Sequence, residues 1–236
     1  MLIGLSLLAM ALILNLETAT TNCSVSLAKH GDIIAIKEHD TPNYSHSEQL
    51  HVFIQEVLKS ASLAMTQLDA VAVSMGPGSY TGLRIGVSAA KGLCFALGIP
   101  LISVPTLISM AEQVRDSEAD YIIPVLDARR MEVYSVVLDN SLSEIRETRA
   151  EIISKDSFQK YRANGKVLLV GSGAEKCKNL IENQQFLFNT GIIPSAREMG
   201  RLSFEKYKAG DFEDVAYFEP YYLKDFMLQG KNNTNT

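Results

Sequence analysis

The sequence has few of the residues that build metal sites or disulfide frameworks. Only three cysteines occur in 236 residues, Cys23, Cys94 and Cys177, and they are far apart with no Cys-x-x-Cys pair. This spacing indicates neither a disulfide framework nor a zinc cluster, and it favours a reducing, cytoplasmic environment. Cys94 and Cys177 lie on apolar faces of predicted helices, where we expect small buried side chains.

The chain also lacks an excess of basic residues and a convincing membrane segment. Its net charge of −5, with a pI near 5.4, argues against the broad basic surface that nucleic-acid binding by the chain alone would need. The apolar residues 1–16 are short for a membrane span, and no Lys or Arg precedes Lys29. We expect no membrane association, a natural start at Met10 after an upstream extension over 1–9, and a disordered tail over 230–236.

The stretch that organises the chain spans residues 68–98. Residues 70–75 predict a buried strand, the Gly-Pro-Gly-Ser at 76–79 a tight turn, and 80–97 a helix. Backbone N–H groups at such a helix start can bind an anion. The glycines, however, match neither a P-loop, which needs Lys-Ser/Thr after them, nor a dinucleotide fingerprint, which needs a third glycine. An anion site and a plain tight turn both remain open.

The predicted helix 80–97 has two apolar faces and one polar stripe. Glycine inside a helix costs about 1 kcal/mol relative to alanine, so a face of small residues predicts the close approach of a second backbone. That backbone belongs either to a partner or to the same subunit, and the periodicity favours neither. The small face consists of Gly82, Gly86, Ala89 and Leu93, the second apolar face of Leu83, Val87, Ala90, Cys94 and Leu97, and the stripe of Arg84, Ser88 and Lys91.

Two halves of the chain repeat one order of elements, β-β-β-α-β-α. In each half an acidic residue ends the first strand, Glu17 or Asp127, and a glycine loop follows the last strand, at 76–79 or 171–173. We therefore predict an α/β fold of the duplicated actin-like ATPase type (ASKHA, ribonuclease H-like), with a cleft between the halves. We expect an N-terminal half over 10–105 and a C-terminal half with the C-terminal helices over 106–229, joined by a connector that begins at 101–104.

A set of motifs occurs in order between residues 12 and 173. They are Leu-Glu-Thr-Ala-Thr at 16–20, His-Ser-Glu at 46–48, Met-Gly-Pro-Gly-Ser-Tyr-Thr-Gly-Leu-Arg-Ile-Gly at 75–86 with Ala-Ala-Lys-Gly at 89–92, and Asp-Ala-Arg at 127–129 with Glu-Val-Tyr at 132–134. Together they resemble the TsaB family. Members of this family are tRNA threonylcarbamoyladenosine biosynthesis proteins and inactive relatives of the catalytic subunit TsaD. Beyond residue 193 the resemblance is weak.

The resemblance implies a noncatalytic scaffold subunit. It would support TsaD, together with the ATPase TsaE, in moving a threonylcarbamoyl group from threonylcarbamoyl-AMP to A37 of tRNA, and tRNA would bind only through the complex. Alone, the chain would form a homodimer. In this family the helices at about 47–60 and 80–97 form the interface. The expected interface residues are Leu50, Phe53, Ile54, Tyr80, Gly82, Leu83, Gly86, Val87, Ala89, Ala90 and Leu93.

The duplicated fold implies a second set of residues around the cleft. We expect no cofactor that belongs to this chain alone, although ATP or ADP could bind at the cleft or at the partner junction. The candidate nucleotide and phosphate residues are Glu17, Thr18, Thr20, Gly78, Ser79, Asp127, Arg129, Gly171 and Gly173.

Departures from the catalytic relative decide between the alternatives. TsaD carries a pair of metal-binding histidines at i and i+4, whereas His46 and His51 are five residues apart and would diverge around a helix. We therefore expect no metal site, with His46 at the helix entry and His51 on its outer face. The missing ligand spacing disfavours a metallopeptidase. A stand-alone ATP-dependent kinase or ATPase remains the alternative, and it needs a working metal-nucleotide cleft at Glu17 and Asp127.

Overall fold

The computed structural model describes residues 11–42, 45–181 and 184–223. The predicted upstream extension, the start at Met10 and the predicted tail over 230–236 all lie outside these residues. Within the described ranges, none of the helices combines the length and the apolar character that crossing a bilayer requires.

The first half is built on a five-stranded mixed sheet with the order β3-β2-β1-β4-β5. β1, β2 and β3 form an antiparallel meander, and β4 and β5 extend the sheet in parallel with β1. All six residues of β1 are buried because helices cover both faces of the sheet. The strands are β1 (Leu12–Glu17), β2 (Asn22–Lys29), β3 (Asp32–Asp40), β4 (Ala70–Gly76) and β5 (Leu101–Pro105).

Three helices cover the first sheet. The helices α1 (His46–Ser60) and α2 (Tyr80–Leu97) pack on the face that carries Leu14 and Leu16. The opposite face, with Ile13, packs against α6 (Ala196–Ala209). Burial of aliphatic side chains stabilises such layers by about 25 cal/mol per Å² of apolar surface removed from water.

The second half repeats this plan with the sheet order β10-β9-β6-β7-β8. Its helix α3 packs on β6, and α4 and α5 pack on the opposite face with Cys177 in their core. The strands are β6 (Tyr121–Asp127), β7 (Glu132–Asp139), β8 (Glu144–Ile152), β9 (Val167–Val170) and β10 (Phe186–Asn189), and the helices are α3 (Thr106–Glu112), α4 (Gln159–Arg162) and α5 (Ala174–Lys178). The two matching halves confirm the duplicated actin-like fold.

The structure corrects two details of the predicted organisation. Residues 101–105 are not a connector but β5, which pairs with β4. The helix after residue 194 belongs with the first half, since Ser203 donates to Asn15 at 2.7 Å and the Ala196 N–H donates to Ser24 at 3.0 Å. The last helix, α6, therefore packs on the sheet of the N-terminal half and not within the C-terminal half.

Candidate functional site

Helix α2 begins at a capped turn and lies directly on the first hairpin turn. Ser79 is its N-cap and accepts a hydrogen bond from the Gly82 N–H at 3.3 Å. A Cβ atom at Gly82 would overlap the backbone oxygen of Thr18, and one at Gly86 would overlap the Thr18 hydroxyl. The glycines are therefore required for contact inside this chain. For these two glycines the approaching group belongs to the same subunit, whereas Ala89 and Leu93 of the same face are partly exposed.

Eight of the eleven predicted interface residues are buried in the chain's own core. Their side chains fill the layer between the first sheet and the two helices, so they do not present a surface to another molecule. Tyr80, Ala89 and Leu93 are partly exposed. The buried residues are Leu50, Phe53, Ile54, Gly82, Leu83, Gly86, Val87 and Ala90.

A groove of about 590 Å³ lies between α1 and α2 on their solvent side. Gly92 is part of its lining, and a Cβ atom there would meet nothing within 4 Å. Phe95 lies one turn further along the same stripe of α2 and is 85% exposed. The α1–α2 groove is lined by Ser47, His51, Arg84, Ile85, Ser88, Ala89, Gly92 and Leu93.

Sequence reasoning missed most of this surface. The sequence places Arg84 and Ser88 in a polar stripe, with an interface ion pair as the open alternative for Arg84, and it assigns Ile85, Gly92 and Phe95 to no face. The sequence gives no signal for Gly92 or Phe95, because single exposed apolar side chains are common on protein surfaces. Of the eleven predicted interface residues, Ala89 and Leu93 line this groove.

The first hairpin turn places a carboxylate inside the protein. Glu17 is fully buried, and one of its oxygens accepts from the Ala19 N–H at 2.6 Å. The other oxygen has no hydrogen-bond partner among the described residues. Burial raises the pKa of Glu17 to about 7, and the hydrogen bonds from Ala19, Ser74 and Thr18 oppose that rise only in part. This carboxyl group therefore exchanges its proton near neutral pH, well above the range of an exposed glutamate.

The glycine loop of the first half packs against the same turn. The Ser79 N–H donates to the Ala19 carbonyl at 2.6 Å, and a Cβ atom at Gly78 would overlap that oxygen. Thr20 is half-buried, and its carbonyl is 2.7 Å from Nε2 of His46. The predicted first-half residues Glu17, Thr18, Thr20, Gly78 and Ser79 are thus brought together, in contact with one another.

The second hairpin turn, between β6 and β7, is stabilised by the side chain of Lys176. The Lys176 ammonium group donates to the Asp127 carboxylate at 2.7 Å and to the carbonyls of Arg130 and Glu132 at 2.7 and 3.2 Å. The Arg129 N–H donates to the same carboxylate at 2.6 Å, while its side chain is exposed. Lys176 was not predicted, and its place on the first turn of α5 becomes apparent only in the structure.

The glycine loop of the second half repeats the contact seen in the first. The Gly173 N–H donates to the Val125 carbonyl at 3.0 Å, and a Cβ atom at Gly171 would overlap the same carbonyl. Each predicted phosphate loop thus packs within its own half, the first on the hairpin turn at Ala19 and the second on strand β6 at Val125. Of the two carboxylates that the kinase alternative requires, Glu17 accepts a hydrogen bond through one oxygen and Asp127 is paired with Lys176.

The histidines and cysteines occupy the predicted positions. His46 is buried at the start of α1, and burial lowers its pKa, whereas His51 is exposed and lines the α1–α2 groove. Cys94 and Cys177 are buried, and burial raises the pKa of the Cys94 thiol to about 11. In the described ranges, no three His, Cys, Asp or Glu side chains form a cluster that could hold a metal ion.

A segment near the C-terminus crosses the edge of α2. This strap, residues 211–223, is fixed by the Glu213 N–H donating to the Leu101 carbonyl at 2.9 Å and the Tyr221 N–H donating to the Met75 carbonyl at 2.8 Å. Lys91 of α2 donates to two strap carbonyls, those of Ala216 and Phe218, at 3.1 and 3.0 Å. The polar stripe of α2 is therefore not wholly solvated.

The sequence comparisons connect this architecture with a group of tRNA modification proteins. Residues 41–217 match a family model described as TsaD, tRNA N6-adenosine threonylcarbamoyltransferase. The chain is 31% identical over 224 residues to the tRNA threonylcarbamoyladenosine biosynthesis protein TsaB of Haemophilus influenzae, covering 90% of this chain and 93% of the relative. The Bacillus subtilis protein of the same name is 30% identical over 223 residues, with the same coverage.

Solved structures agree on the fold. YeaZ from Pseudomonas aeruginosa superposes with a TM-score of 0.76 at 23% identity, covering 91% of this chain and 100% of that chain. A second Pseudomonas aeruginosa protein, described as similar to peptidase YeaZ, superposes with a TM-score of 0.81 at 24% identity and the same coverage. At these identities the likeness establishes the arrangement of the two halves and nothing finer.

Proposed function

The chain belongs to the TsaB family of tRNA threonylcarbamoyladenosine biosynthesis proteins, and on that basis we propose that it acts as a cytoplasmic, noncatalytic partner subunit of TsaD. It supports transfer of the threonylcarbamoyl group from threonylcarbamoyl-AMP to A37 of tRNA, with the ATPase TsaE as a further component. The tRNA is held by the complex and not by this chain alone, in keeping with its net charge of −5. Without TsaD, two copies pair through the same surface.

The α1–α2 groove is the observation that carries this proposal. It combines an open channel beside Gly92 with the exposed ring of Phe95. Exposed aromatic rings beside well-packed surface are the residues that most often dominate binding energy at protein interfaces. Both helices are fixed on the sheet behind them, so the groove is a preformed surface that a partner helix can enter without reordering the chain.

The state of the two hairpin turns supports a noncatalytic role. Glu17 and Asp127 are the carboxylates that a nucleotide-bound metal would require, and each already accepts a hydrogen bond within the chain, from the Ala19 N–H and from Lys176. We propose that ATP or ADP, where it takes part, acts at the partner junction and is not turned over by this chain. Turnover of ATP by the purified chain alone would favour a stand-alone kinase or ATPase instead.

Reconstitution of tRNA modification tests the proposal. TsaD, TsaE, threonylcarbamoyl-AMP and substrate tRNA are incubated with or without this chain, and the modified nucleoside is measured by mass spectrometry after digestion. We expect product only with the chain, and a loss of about tenfold or more with Phe95→Ser. The matched control is Ile152→Ser, because Ile152 is 75% exposed on β8 in the other half. Equal product without the chain would overturn the proposal.

A further inference from the structure

Arg84 stands where two cavities meet on the solvent side of α2. It lines the α1–α2 groove and also a second cavity of about 370 Å³ between α2 and the strap. Ser88 is shared by the two cavities in the same way. A helix that enters the groove therefore passes the Arg84 guanidinium group before it reaches the strap.

The strap holds this guanidinium group in place through a stack of aromatic rings. The Arg84 guanidinium carbon lies 4.4 Å from the centroid of the Tyr80 ring, and that ring packs on Tyr222 of the strap at 4.9 Å between centroids. The strap itself is tied to α2 by the two hydrogen bonds of Lys91 and by the buried Phe218. A cation fixed on an aromatic face loses less conformational entropy when it binds an anion.

The charged side chains of α2 are all of one sign. No described carboxylate lies within 4.0 Å of its guanidinium group, although Glu219 lines the same second cavity. The sequence of α2 contains two cations, Arg84 and Lys91, and no Asp or Glu. The α2 side of the groove is therefore positive, within a chain whose net charge is negative.

We propose that Arg84, held by the strap, is the receptor for a carboxylate on the helix of a different protein, so that this surface prefers an acidic partner helix to a second copy of the chain. The inference rests on the partner role proposed above. Arginine binds a carboxylate through two parallel N–H···O bonds, a geometry that lysine does not reproduce. The α2 helix of a second copy brings two further cations and no carboxylate to receive the guanidinium group.

Salt should act in opposite directions on the complex with TsaD and on self-association of the chain. An attraction between Arg84 and a partner carboxylate weakens as salt screens it, whereas a repulsion between like-charged copies is relieved. Between about 0.05 and about 0.5 M NaCl, the complex with TsaD should weaken and self-association should stay level or strengthen. Dissociation constants from analytical ultracentrifugation of the full chain, alone and with TsaD, measure both.

Charge variants identify the residue responsible. We expect Arg84→Glu to weaken the TsaD complex about tenfold or more, Arg84→Lys to recover only part of that loss, and Tyr222→Ala to weaken it a few-fold. Self-association should not weaken with Arg84→Glu. The control is Arg197→Glu, an exposed arginine on α6 at the opposite face of the sheet, which should leave both constants unchanged. Thermal melts check that every variant is folded.

The outcomes separate this inference from the proposed function. A wild-type chain that binds TsaD, loses binding with Phe95→Ser and is indifferent to Arg84→Glu overturns the carboxylate receptor alone. The same salt dependence for both associations also overturns it. A wild-type chain that never associates with TsaD overturns the partner role and the receptor together.

Discussion

Two glycines of α2, six residues apart, should respond in opposite ways to the same substitution. Gly86 contacts the Thr18 hydroxyl, whereas a Cβ atom at Gly92 would meet nothing within 4 Å. Gly92→Ala removes the cost of a helical glycine and should raise the free energy of unfolding by about 1 kcal/mol. Gly86→Ala gains the same term but forces α2 and the hairpin turn apart, which costs about 1–3 kcal/mol. The steric cost at Gly86 offsets or exceeds its helical gain.

The identity of the contacting atom refines this prediction. At Gly86 the obstacle is a side chain, so Thr18→Ala should restore much of the stability lost in Gly86→Ala, as a double-mutant cycle would show. At Gly82 the obstacle is the Thr18 backbone oxygen, which no substitution at Thr18 removes. Gly82→Ala should therefore be the most destabilising of the three changes and should not be rescued.

Urea unfolding followed by circular dichroism measures these differences. The expected order of stability is Gly92→Ala above wild type, then Gly86→Ala, then Gly82→Ala. Equal stability of the Gly86 and Gly92 variants would refute the assignment of the small-residue face to the chain's own hairpin turn. It would reopen the alternative in which that face meets a partner.

The remaining predictions concern buried charge and the strap. Burial raises the pKa of Glu17 from 4.5 to about 7, so the folded chain keeps a proton that the unfolded chain releases, and stability falls as pH rises between these values. Glu17→Gln should remove that fall, which amounts to about 2–3 kcal/mol between about pH 5 and about pH 8 in urea titrations. The Glu112 carboxylate accepts hydrogen bonds from Arg115, three residues further along the chain, and from Arg201 of α6. Glu112→Gln should therefore lower the unfolding free energy by about 1–2 kcal/mol. Lys91→Met should release the strap, seen as faster proteolysis within 211–223 and a loss of about 1–2 kcal/mol.

The elements that rest on local pattern could be predicted from the sequence. The alternating strands around Cys23, the helix over 80–97 and the glycine loops after β4 and β9 all occur where the pattern places them. Their repetition in order was enough to identify the duplicated fold. Each of these signals lies within about 20 consecutive residues, the range over which periodicity is informative.

Contacts between distant parts of the chain could not be predicted in this way. Nothing near Ser203 indicates that α6 lies on β1, because Asn15 is 188 residues away in the sequence. Lys176 and Asp127 are 49 residues apart, and no local sequence pattern indicates that they form an ion pair. The four-residue strand β10 was missed because it is short and has no alternation of its own.

The glycines of α2 show what a sequence pattern can and cannot predict about helix contacts. The pattern correctly indicates a close approach at Gly82 and Gly86, which is made by the backbone of Thr18 at Gly82 and by its side chain at Gly86. It does not tell which part of which chain approaches, and the answer is the hairpin turn that carries Thr18. Gly92, which leaves the groove open, looks the same in sequence and has the opposite role.

The affinity of TsaD for the Phe95→Ser variant, compared with Ile152→Ser, tests the central claim most directly. Both changes remove an exposed apolar side chain, but only Phe95 lies beside the α1–α2 groove. The account predicts that Phe95→Ser raises the dissociation constant by about tenfold or more while Ile152→Ser leaves it unchanged. Equal affinities for the two variants would contradict it and would place the partner surface elsewhere on the chain.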